Sequence, residues 1–256
     1  MKIASWNVNS LNVRLPQVLA WCDTAKPDIL ALQETKLPDE RFPLDELQEA
    51  GYHSVYSGQK TYNGVAVLSR EPAGDPLTDI NGLDDPQRRI LAATVGNVRI
   101  IDLYVVNGAE VGSEKFDYKL HWLDKVSNWL AKEVEEYDNV VVLGDFNIAP
   151  DDRDVYDPKA WKEKILCGTP ERQALKRILN LGLTDTFRLF EQEERIWSWW
   201  DYRMNMFRRK LGLRIDLILA SESMARRCTA SYVDIEPRRQ ERPSDHAPAV
   251  AEFKTL

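Results

Sequence analysis

The chain has 256 residues, 43% of them hydrophobic, and includes eight tryptophans. A chain of this length and apolar content can bury a substantial core, which excludes an intrinsically disordered protein. The net charge of −7 argues mildly against a nucleic-acid partner, although a local basic patch or a bound divalent cation can reverse the field where it matters.

Apolar runs and helical periodicities follow one another along the chain, separated by turn residues. In chain order, we predict a strand at 2–6, a helix at 13–23, a strand at 28–32, a short helix at 42–50, strands at 52–56, 65–69, 90–95 and 98–105, a helix at 114–136, a strand at 140–143, a helix at 169–181, and strands at 215–220 and 250–253.

Two of these helices carry clear start signals. The helix at 114–136 has apolar residues at steps of three and four, and Ser113 is its predicted N-cap. The second begins with Thr169 as the predicted N-cap and Pro170 in the first helical position, and Gly182 is expected to end it.

Several neighbouring strands have no helix between them, which favours a mixed-sheet α/β layer fold over a purely parallel sheet. No linker, low-complexity tract or short-period repeat divides the sequence. We therefore expect a single domain that spans residues 1–256.

The cysteines and the N-terminus indicate a cellular compartment. Cys22, Cys167 and Cys228 have no Cys-x-x-Cys spacing, and an odd number without a framework is typical of reduced thiols. The N-terminal stretch lacks the apolar run of a signal peptide, and no segment approaches the roughly 18 apolar residues of a membrane span. We expect a cytoplasmic protein without membrane contact.

Five stretches place polar residues at the ends of predicted strands: 5–10, 32–36, 102–108, 143–150 and 243–248. Taken singly, each has an ordinary structural explanation. Asn7 and Asn9 are common turn formers, Glu34 suits a solvated loop, Asp145 suits an Asx turn, and the acid beside His246 suits a polar turn. Ligand sites of α/β folds gather at strand ends, however, so the five stretches are also candidates for a shared site.

Together, the side chains of these stretches favour one kind of metal. Oxygen ligands are what Mg²⁺ or Mn²⁺ prefers, whereas zinc would require more histidine or cysteine. A hydrated Mg²⁺ beside a single histidine is suited to the hydrolysis of phosphate esters. The candidate oxygen ligands are Asn7, Glu34, Asp145, Asn147 and Asp245.

The motifs WNVNS, LQETK, YNGVAVLS, QRRI, LYVVNG, LGDFNIAP, WSWWDYR, GLRIDLILAS and SDHAP occur in this order. Over essentially the whole chain they resemble the exonuclease III family of apurinic/apyrimidinic endonucleases, within the endonuclease/exonuclease/phosphatase superfamily. The resemblance implies a four-layer α/β sandwich of two mixed sheets with helices outside. It also implies a Mg²⁺-dependent DNA-repair phosphodiesterase that acts on double-stranded DNA at abasic sites or 3′ ends, and we expect a monomer.

The resemblance also implies roles for single residues on the metal side. Glu34 would be the principal metal carboxylate, helped by Asn7 and Asp245. Asp145 would be the acid/base residue nearest the attacking water or the leaving oxygen. Asn147 would orient Asp145 and touch the phosphate, and both residues would contribute to the metal site.

On the phosphate side, the resemblance implies that Tyr104 donates its hydroxyl to the scissile phosphate and that Asn107 lies near the DNA backbone. His246 would pair with Asp216, thirty positions earlier, rather than with its neighbour in the sequence. A carboxylate behind a histidine fixes its tautomer and raises its basicity. Whether Asp145 or His246 deprotonates the water is left open by the sequence.

Residues 197–216 are the predicted recognition surface, because tryptophans alternate there with basic residues. The ordinary explanation is a buried core beside a solvated face, and we expect Trp200 to be core. The resemblance favours a pocket for a sugar that lacks its base, formed by Trp199, Leu213 and Ile215. The basic residues expected to contact DNA phosphates are Arg203, Arg208, Arg209, Lys210 and Arg214.

Two residues bear on finer details. Asn9 stands where some relatives carry aspartate, which would weaken a second metal position. Leu166, in the variable segment 151–168, is bulky enough to crowd the pocket and to shift the balance from internal abasic cleavage towards the trimming of 3′ ends.

Two other functions fit the same motifs less well. A phosphatase of small phosphoesters is disfavoured by the WWDYR and GLRID stretches and by the missing signal peptide. A catalytically inert DNA-binding relative is disfavoured because the whole set of implied catalytic residues is present.

Overall fold

The computed structural model describes residues 1–83 and 85–254; the predicted domain also includes Asp84, Thr255 and Leu256, which lie outside this part. Within the described part, no helix is both long and apolar enough to cross a lipid bilayer. The elements are β1 (Lys2–Asn7), α1 (Leu11–Ala25), β2 (Ile29–Gln33), α2 (Leu44–Glu49), β3 (His53–Ser57), β4 (Val65–Ser69), β5 (Ala73–Leu77), β6 (Ile90–Val95), β7 (Val98–Tyr104), α3 (Glu114–Glu136), β8 (Val140–Asp145), α4 (Pro158–Trp161), α5 (Thr169–Leu179), β9 (Thr184–Asp185), β10 (Asp216–Ala220), α6 (Glu222–Ala225), β11 (Cys228–Val233) and β12 (Ala249–Phe253).

The strands form two six-stranded sheets with matching patterns. The first has the order β11-β12-β1-β2-β4-β3 and the second the order β5-β6-β7-β8-β10-β9. Each sheet has a central parallel pair, β1 with β2 and β7 with β8, and its remaining neighbours are antiparallel. In both sheets, therefore, the two central strands run in the same direction and end at the same edge of their sheet.

Alternating residues of these strands build four layers. Odd-numbered residues of β1 and β2, such as Ile3 and Ala31, pack with Leu143 and Ile218 in the core between the sheets. The opposite face of the first sheet packs against α1, as in the cluster of Trp6, Leu30 and Val18, and the outer face of the second sheet packs against α3 and α5. The predicted four-layer α/β sandwich is confirmed.

The predicted helix at 114–136 is confirmed, and the Ser113 side chain accepts a hydrogen bond from the Phe116 N–H at 3.2 Å. The predicted start of the second helix was wrong by one residue. Gly168 is its N-cap, and the Glu171 carboxylate accepts from the Gly168 N–H at 2.9 Å. Threonine and glycine both suit an N-cap, so the pattern did not distinguish Thr169 from Gly168.

The sequence did not predict β5, β9 and β11, and all three are edge strands. β5 has the sequence AGDPL and is mostly exposed, β9 has only two residues, and β11 alternates irregularly between exposed and buried positions. These three strands lack the alternation of apolar and polar residues from which a strand is predicted, so the sequence did not reveal them.

Candidate active site

Strand ends bring the predicted polar residues together at one edge of the sandwich. The central strands β1, β7 and β8 end with Asn7, Tyr104 and Asp145, and β2 ends one residue before Glu34. β10 runs antiparallel to β8, so its first residue, Asp216, pairs in register with Asp145. Both sheets therefore contribute to a single site.

Asp145 lies at the centre of this site and is buried. The Asn7 Nδ2 donates to Glu34 Oε1 at 2.8 Å and to Asp145 Oδ2 at 2.9 Å. The backbone N–H of Asn147 donates to the other oxygen, Asp145 Oδ1, at 2.9 Å. Ligand atoms of Glu34, Asp145 and His246 lie within 4.8 Å of one another, a spacing at which they could hold one metal ion.

His246 stands between two carboxylates. Its Nδ1 lies 2.9 Å and 3.1 Å from the oxygens of Asp216, and its Nε2 lies 3.7 Å from Asp145 Oδ2. The partner of His246 is thus the distant acid that the resemblance implied. Burial lowers the pKa of His246, but Asp216 and Asp145 outweigh burial and raise it to about 10. Burial raises the pKa of Asp145 to about 7.

Asp245 lies beside this group rather than within it. Its oxygens accept from Asn9 Nδ2 at 2.9 Å and from the Trp199 indole N–H at 3.1 Å. Lys36 Nζ donates to Asn9 Oδ1 at 2.6 Å and pairs with Glu34 Oε2 at 2.9 Å. Lys36 and Asn9 therefore link Asp245 to Glu34, and sequence reasoning did not single out Lys36.

Tyr104 is the last residue of β7, and Asn107 follows three positions later on another side of the site. The guanidinium of Arg89 lies 4.4 Å from the centre of the Tyr104 ring, and burial together with Glu34 holds the pKa of Tyr104 well above its usual range. Asn107 is exposed, and its Nδ2 donates to Asn147 Oδ1 at 3.0 Å. The two asparagines thus form one polar wall.

A buried ion pair supports this wall from below. Lys119 Nζ donates to the backbone carbonyls of Asn147 at 2.8 Å and Asn107 at 3.2 Å, and it also pairs with Glu171; neither side chain of the ion pair is exposed. Sequence reasoning missed Lys119, although a signal was present. It follows Phe116 by three positions and precedes Leu123 by four, so it falls in the apolar stripe of α3.

The three residues of the predicted sugar pocket pack together. Trp199 pairs with Leu213 through backbone hydrogen bonds of 2.9 Å and 3.0 Å, and Leu213 and Ile215 are buried. Leu166 belongs to the same apolar cluster, and its backbone has a φ of 71°, in the left-handed region. The bulky side chain that the sequence singled out therefore packs against the predicted pocket.

The basic residues of the recognition segment divide into two groups. Arg203, Arg208, Arg209 and Lys210 are exposed, and Arg203 pairs with Asp201. They remain candidates for contact with DNA phosphates. Trp200 is buried, as predicted.

The prediction that Arg214 faces DNA was wrong. Its side chain is 1% exposed, and its Nε donates to Asp154 Oδ1 at 2.6 Å while its Nη2 donates to Asp185 Oδ2 at 2.7 Å. Arg188 pairs with Asp154 as well. These acids are 60 and 29 positions away in the chain, so local sequence could not reveal that Arg214 is neutralised inside the protein.

Several residues of the site hold an unusual backbone conformation. Asn9, Glu34 and Asn147 have φ angles of 43°, 53° and 49°, which lie in the left-handed region. Asparagine tolerates this region, but a non-glycine residue there is uncommon, and glutamate has no side-chain bond that favours it. The fold therefore imposes sharp turns directly at the polar residues.

Comparisons with known proteins agree with this architecture. A model of the Endonuclease/Exonuclease/phosphatase family matches residues 4–246. An exodeoxyribonuclease III of Haemophilus influenzae is 36% identical, over 99% of this chain and 100% of that protein. The 3′ phosphatase NExo from Neisseria, solved with a product DNA hairpin, superimposes with a TM-score of 0.98 at 52% identity. An AP endonuclease from Archaeoglobus fulgidus gives 0.95 at 40%, and each structure matches over 100% of both chains.

Proposed function

This chain belongs to the endonuclease/exonuclease/phosphatase family, and we propose that it is a DNA-repair phosphodiesterase of the exodeoxyribonuclease III type. It is a hydrolase that acts on phosphodiester bonds of DNA. The observation that carries this function is the buried arrangement of Asp216, His246 and Asp145 beside Glu34. An inert relative would have no need of three carboxyl groups around one imidazole, because that arrangement is costly unless it serves chemistry.

The residues around Asp145 fit a divalent cation. Glu34 and Asp145 offer carboxylate oxygens within 4.8 Å, and hard oxygen ligands select Mg²⁺ or Mn²⁺ over softer metals. When bound, Mg²⁺ would polarise a phosphoryl oxygen and neutralise part of the negative charge of the site. Asn7 orients both carboxylates through one amide nitrogen. Asp245 would act on the metal side only through Asn9, Lys36 or bound water.

Hydrolysis requires that a proton leave the attacking water and that a proton reach the leaving oxygen. With Asp216 at Nδ1 and a pKa raised to about 10, His246 keeps its proton at neutral pH and presents a positive Nε2–H to the phosphate. Burial raises the pKa of Asp145, but the positive charge of His246, 3.7 Å away, favours its ionised form, so Asp145 accepts the proton of the water. We assign the base role to Asp145 on this charge distribution, and the Nε2–H of the protonated His246 supplies the proton to the leaving oxygen.

The phosphate would be held by the polar wall and by Tyr104. The raised pKa of the Tyr104 hydroxyl keeps it protonated, so it donates to a phosphoryl oxygen. Asn107 and Asn147 offer amide groups that lie next to each other. Lys119 fixes the carbonyls of both asparagines, so their side chains meet substrate in one orientation.

For the substrate, we propose that 3′ ends of double-stranded DNA are processed in preference to internal abasic sites. The support is Leu166, which is 4% exposed and packs with Leu213 and Ile215 where a flipped abasic sugar would have to enter. A terminal phosphate needs no such pocket. A 3′ phosphatase is also among the proteins that this chain resembles in structure.

The experiment compares turnover on a 3′-phosphate duplex with turnover on an abasic duplex, for the wild type and Leu166→Gly. Because Leu166 has a φ of 71°, glycine adopts its backbone conformation without strain and removes only the side chain. We expect the abasic rate to rise about ten-fold relative to the 3′-phosphate rate, the range that one buried side chain can supply. An unchanged ratio would contradict the proposed block.

The control is Ile165→Gly, in the same loop, where the residue is only half-buried and lies at the edge of the cluster. This change should leave the ratio near that of the wild type. Each reaction is repeated with Mg²⁺ and with EDTA, and activity in EDTA would contradict the metal mechanism. We further propose that the protein acts as a cytoplasmic monomer and that its one domain spans the chain.

A further inference from the structure

A second group of polar side chains lies between the two sheets, next to the site and further from the strand ends. On the inner faces, Ser5 lies two residues before Asn7 in β1, and Asp102 lies two residues before Tyr104 in β7. Gln33 ends β2 and directly precedes Glu34. None of the side chains of Ser5, Gln33 and Asp102 is exposed.

These three residues form one hydrogen-bonded group across the two sheets. Gln33 Nε2 donates to Ser5 Oγ at 3.1 Å in the first sheet and to Asp102 Oδ1 at 2.7 Å in the second. The second carboxyl oxygen, Asp102 Oδ2, is buried and has no hydrogen-bond partner among the described residues. The side-chain hydrogen bond that Asp102 accepts within this part of the chain comes from Gln33, and the backbone of Ala66 is also close to the carboxyl group.

The surroundings of this group are apolar, which makes its presence costly. Asp102 pairs in register with Leu91 and Leu143, which belong to the core between the sheets. Ile100, the preceding inward-facing residue of β7, belongs to the same core. A leucine of similar size at position 102 would pack there without any cost of desolvation. A carboxyl group in this place calls for a role other than stability.

Gln33 is the last regular residue before the sharp turn at Glu34. The Gln33 carbonyl accepts from the Val8 N–H at 3.0 Å, and the Glu34 carbonyl accepts from the Ser10 N–H at 2.7 Å. The left-handed φ of 53° at Glu34 has an energetic cost, and it persists only if neighbouring contacts hold it. The side chain of Gln33 is tied to both sheets one residue before this turn, so it adds to the contacts that Glu34 itself makes with Ser10 and Asn7.

We propose that Asp102 is a positioning residue, which fixes Gln33 across the sheets and thereby holds the turn that aims Glu34 at its metal. Burial raises the pKa of Asp102 well above its usual range, which favours the neutral acid, and its Oδ1 accepts from Gln33. The inference rests on the proposed role of Glu34 as a metal ligand.

The test compares two substitutions of nearly equal size, Asp102→Leu and Asp102→Asn. Asparagine keeps an oxygen that accepts from Gln33 and is uncharged like the buried acid, whereas leucine removes the acceptor. Binding of Mn²⁺ alone to the protein without DNA is measured by calorimetry, alongside thermal unfolding. We expect about ten-fold weaker Mn²⁺ binding in Asp102→Leu, the usual effect of losing a residue that orients a metal ligand, and wild-type affinity in Asp102→Asn.

A second variant covers the outcome in which Asp102→Leu fails to fold because the Gln33 amide is left buried without a partner. The double variant Gln33→Leu/Asp102→Leu removes both polar groups, restores an apolar layer, and should bind Mn²⁺ as weakly as Asp102→Leu. Unchanged affinity in the folded leucine variants would overturn the inference, as would an equal loss in Asp102→Asn. A wild-type protein that binds no Mn²⁺ would instead overturn the proposed metal site and this inference together.

Discussion

Arg214 and Asp216 stand two residues apart in the chain, and each lies within a buried group of charges. The Arg214 cluster, formed by Arg214, Arg188, Asp154 and Asp185, contains two positive and two negative groups in direct contact. The His246 cluster contains three carboxyl groups, of Asp216, Asp145 and Glu34, around the imidazole of His246. Of these carboxyl groups, the ammonium of Lys36 pairs with Glu34.

This difference in balance explains the difference in role. In the Arg214 cluster each charge has its partner, so nothing is left to attract a ligand, and the group ties the segment at 152–156 to β9 and to the start of β10. In the His246 cluster the negative charge exceeds the positive charge even when His246 is protonated. Such an excess is destabilising in the protein alone and is relieved by a cation. Of these two clusters, the one with unbalanced charge is therefore the one suited to bind a ligand.

The largest effect should come from Asp145→Asn. Loss of the base should reduce turnover on either DNA substrate about 10³-fold, a barrier increase of about 4 kcal/mol. The thermal unfolding temperature without metal should stay equal or rise, because one uncompensated acid is gone. Turnover and unfolding are measured on the same preparation. Retained binding of the duplex would exclude a scaffold role, whereas a large loss of stability would contradict the contrast between the clusters.

Arg214→Met should have the opposite effect, a loss of stability rather than a direct loss of the catalytic group. Two buried carboxylates, Asp154 and Asp185, lose a partner, and breaking a buried pair costs about 3–5 kcal/mol of unfolding free energy. Urea unfolding measures this loss. Arg153→Met is the matched control, since Arg153 pairs with Asp151 while 71% exposed, and the expected cost is below about 1 kcal/mol. Equal effects of the two substitutions would show that burial does not matter here.

A third change separates two roles within the His246 cluster. Asp216→Asn removes the negative charge behind His246 but leaves Glu34 and Asp145 in place, so turnover should fall about 10–100-fold while Mn²⁺ affinity stays within about two-fold. Single-turnover rates and calorimetry provide the two measurements. A large loss of metal binding would show that the acid acts on the metal side instead.

The smallest effect is stabilisation by the metal. Mg²⁺ at ten times its dissociation constant should add about 1.4 kcal/mol of stability, which is roughly 3–6 °C in unfolding temperature for a chain of this size. Glu34→Gln should abolish the shift, and Arg153→Met should preserve it. A shift that survives in Glu34→Gln would place the cation elsewhere.

Sequence reasoning was strongest where local pattern determines structure. The helix at 114–136 could be predicted to the residue because its apolar stripe and its Ser113 cap are local signals. The edge strands β5, β9 and β11 could not, since their residues are short of apolar side chains or follow no clear period, whereas the fourth edge strand, β3, was predicted. The four-layer arrangement came from the resemblance, because mixed strands and helices alone allow several packings.

In the candidate site, too, some residues had a local signal in the sequence and others had none. Asp145 and Glu34 could be suspected from their position after apolar runs, but the pairing of His246 with Asp216 came from the resemblance alone. Lys119 was visible as a charge in an apolar stripe and was overlooked. The burial of Arg214 had no local signal, because a basic residue between tryptophans is equally typical of a DNA-binding face.

The left-handed backbone at Asn9, Glu34 and Asn147 has a practical consequence for engineering. Glycine at Glu34, where the left-handed region is least tolerated, would release conformational strain on the order of 1 kcal/mol, so a library selected only for heat resistance would enrich that substitution. It would also delete a carboxylate from the site. Selection for durability alone would therefore drive this enzyme towards a more robust but inactive protein, and a thermostabilised form should be sought with this position held constant.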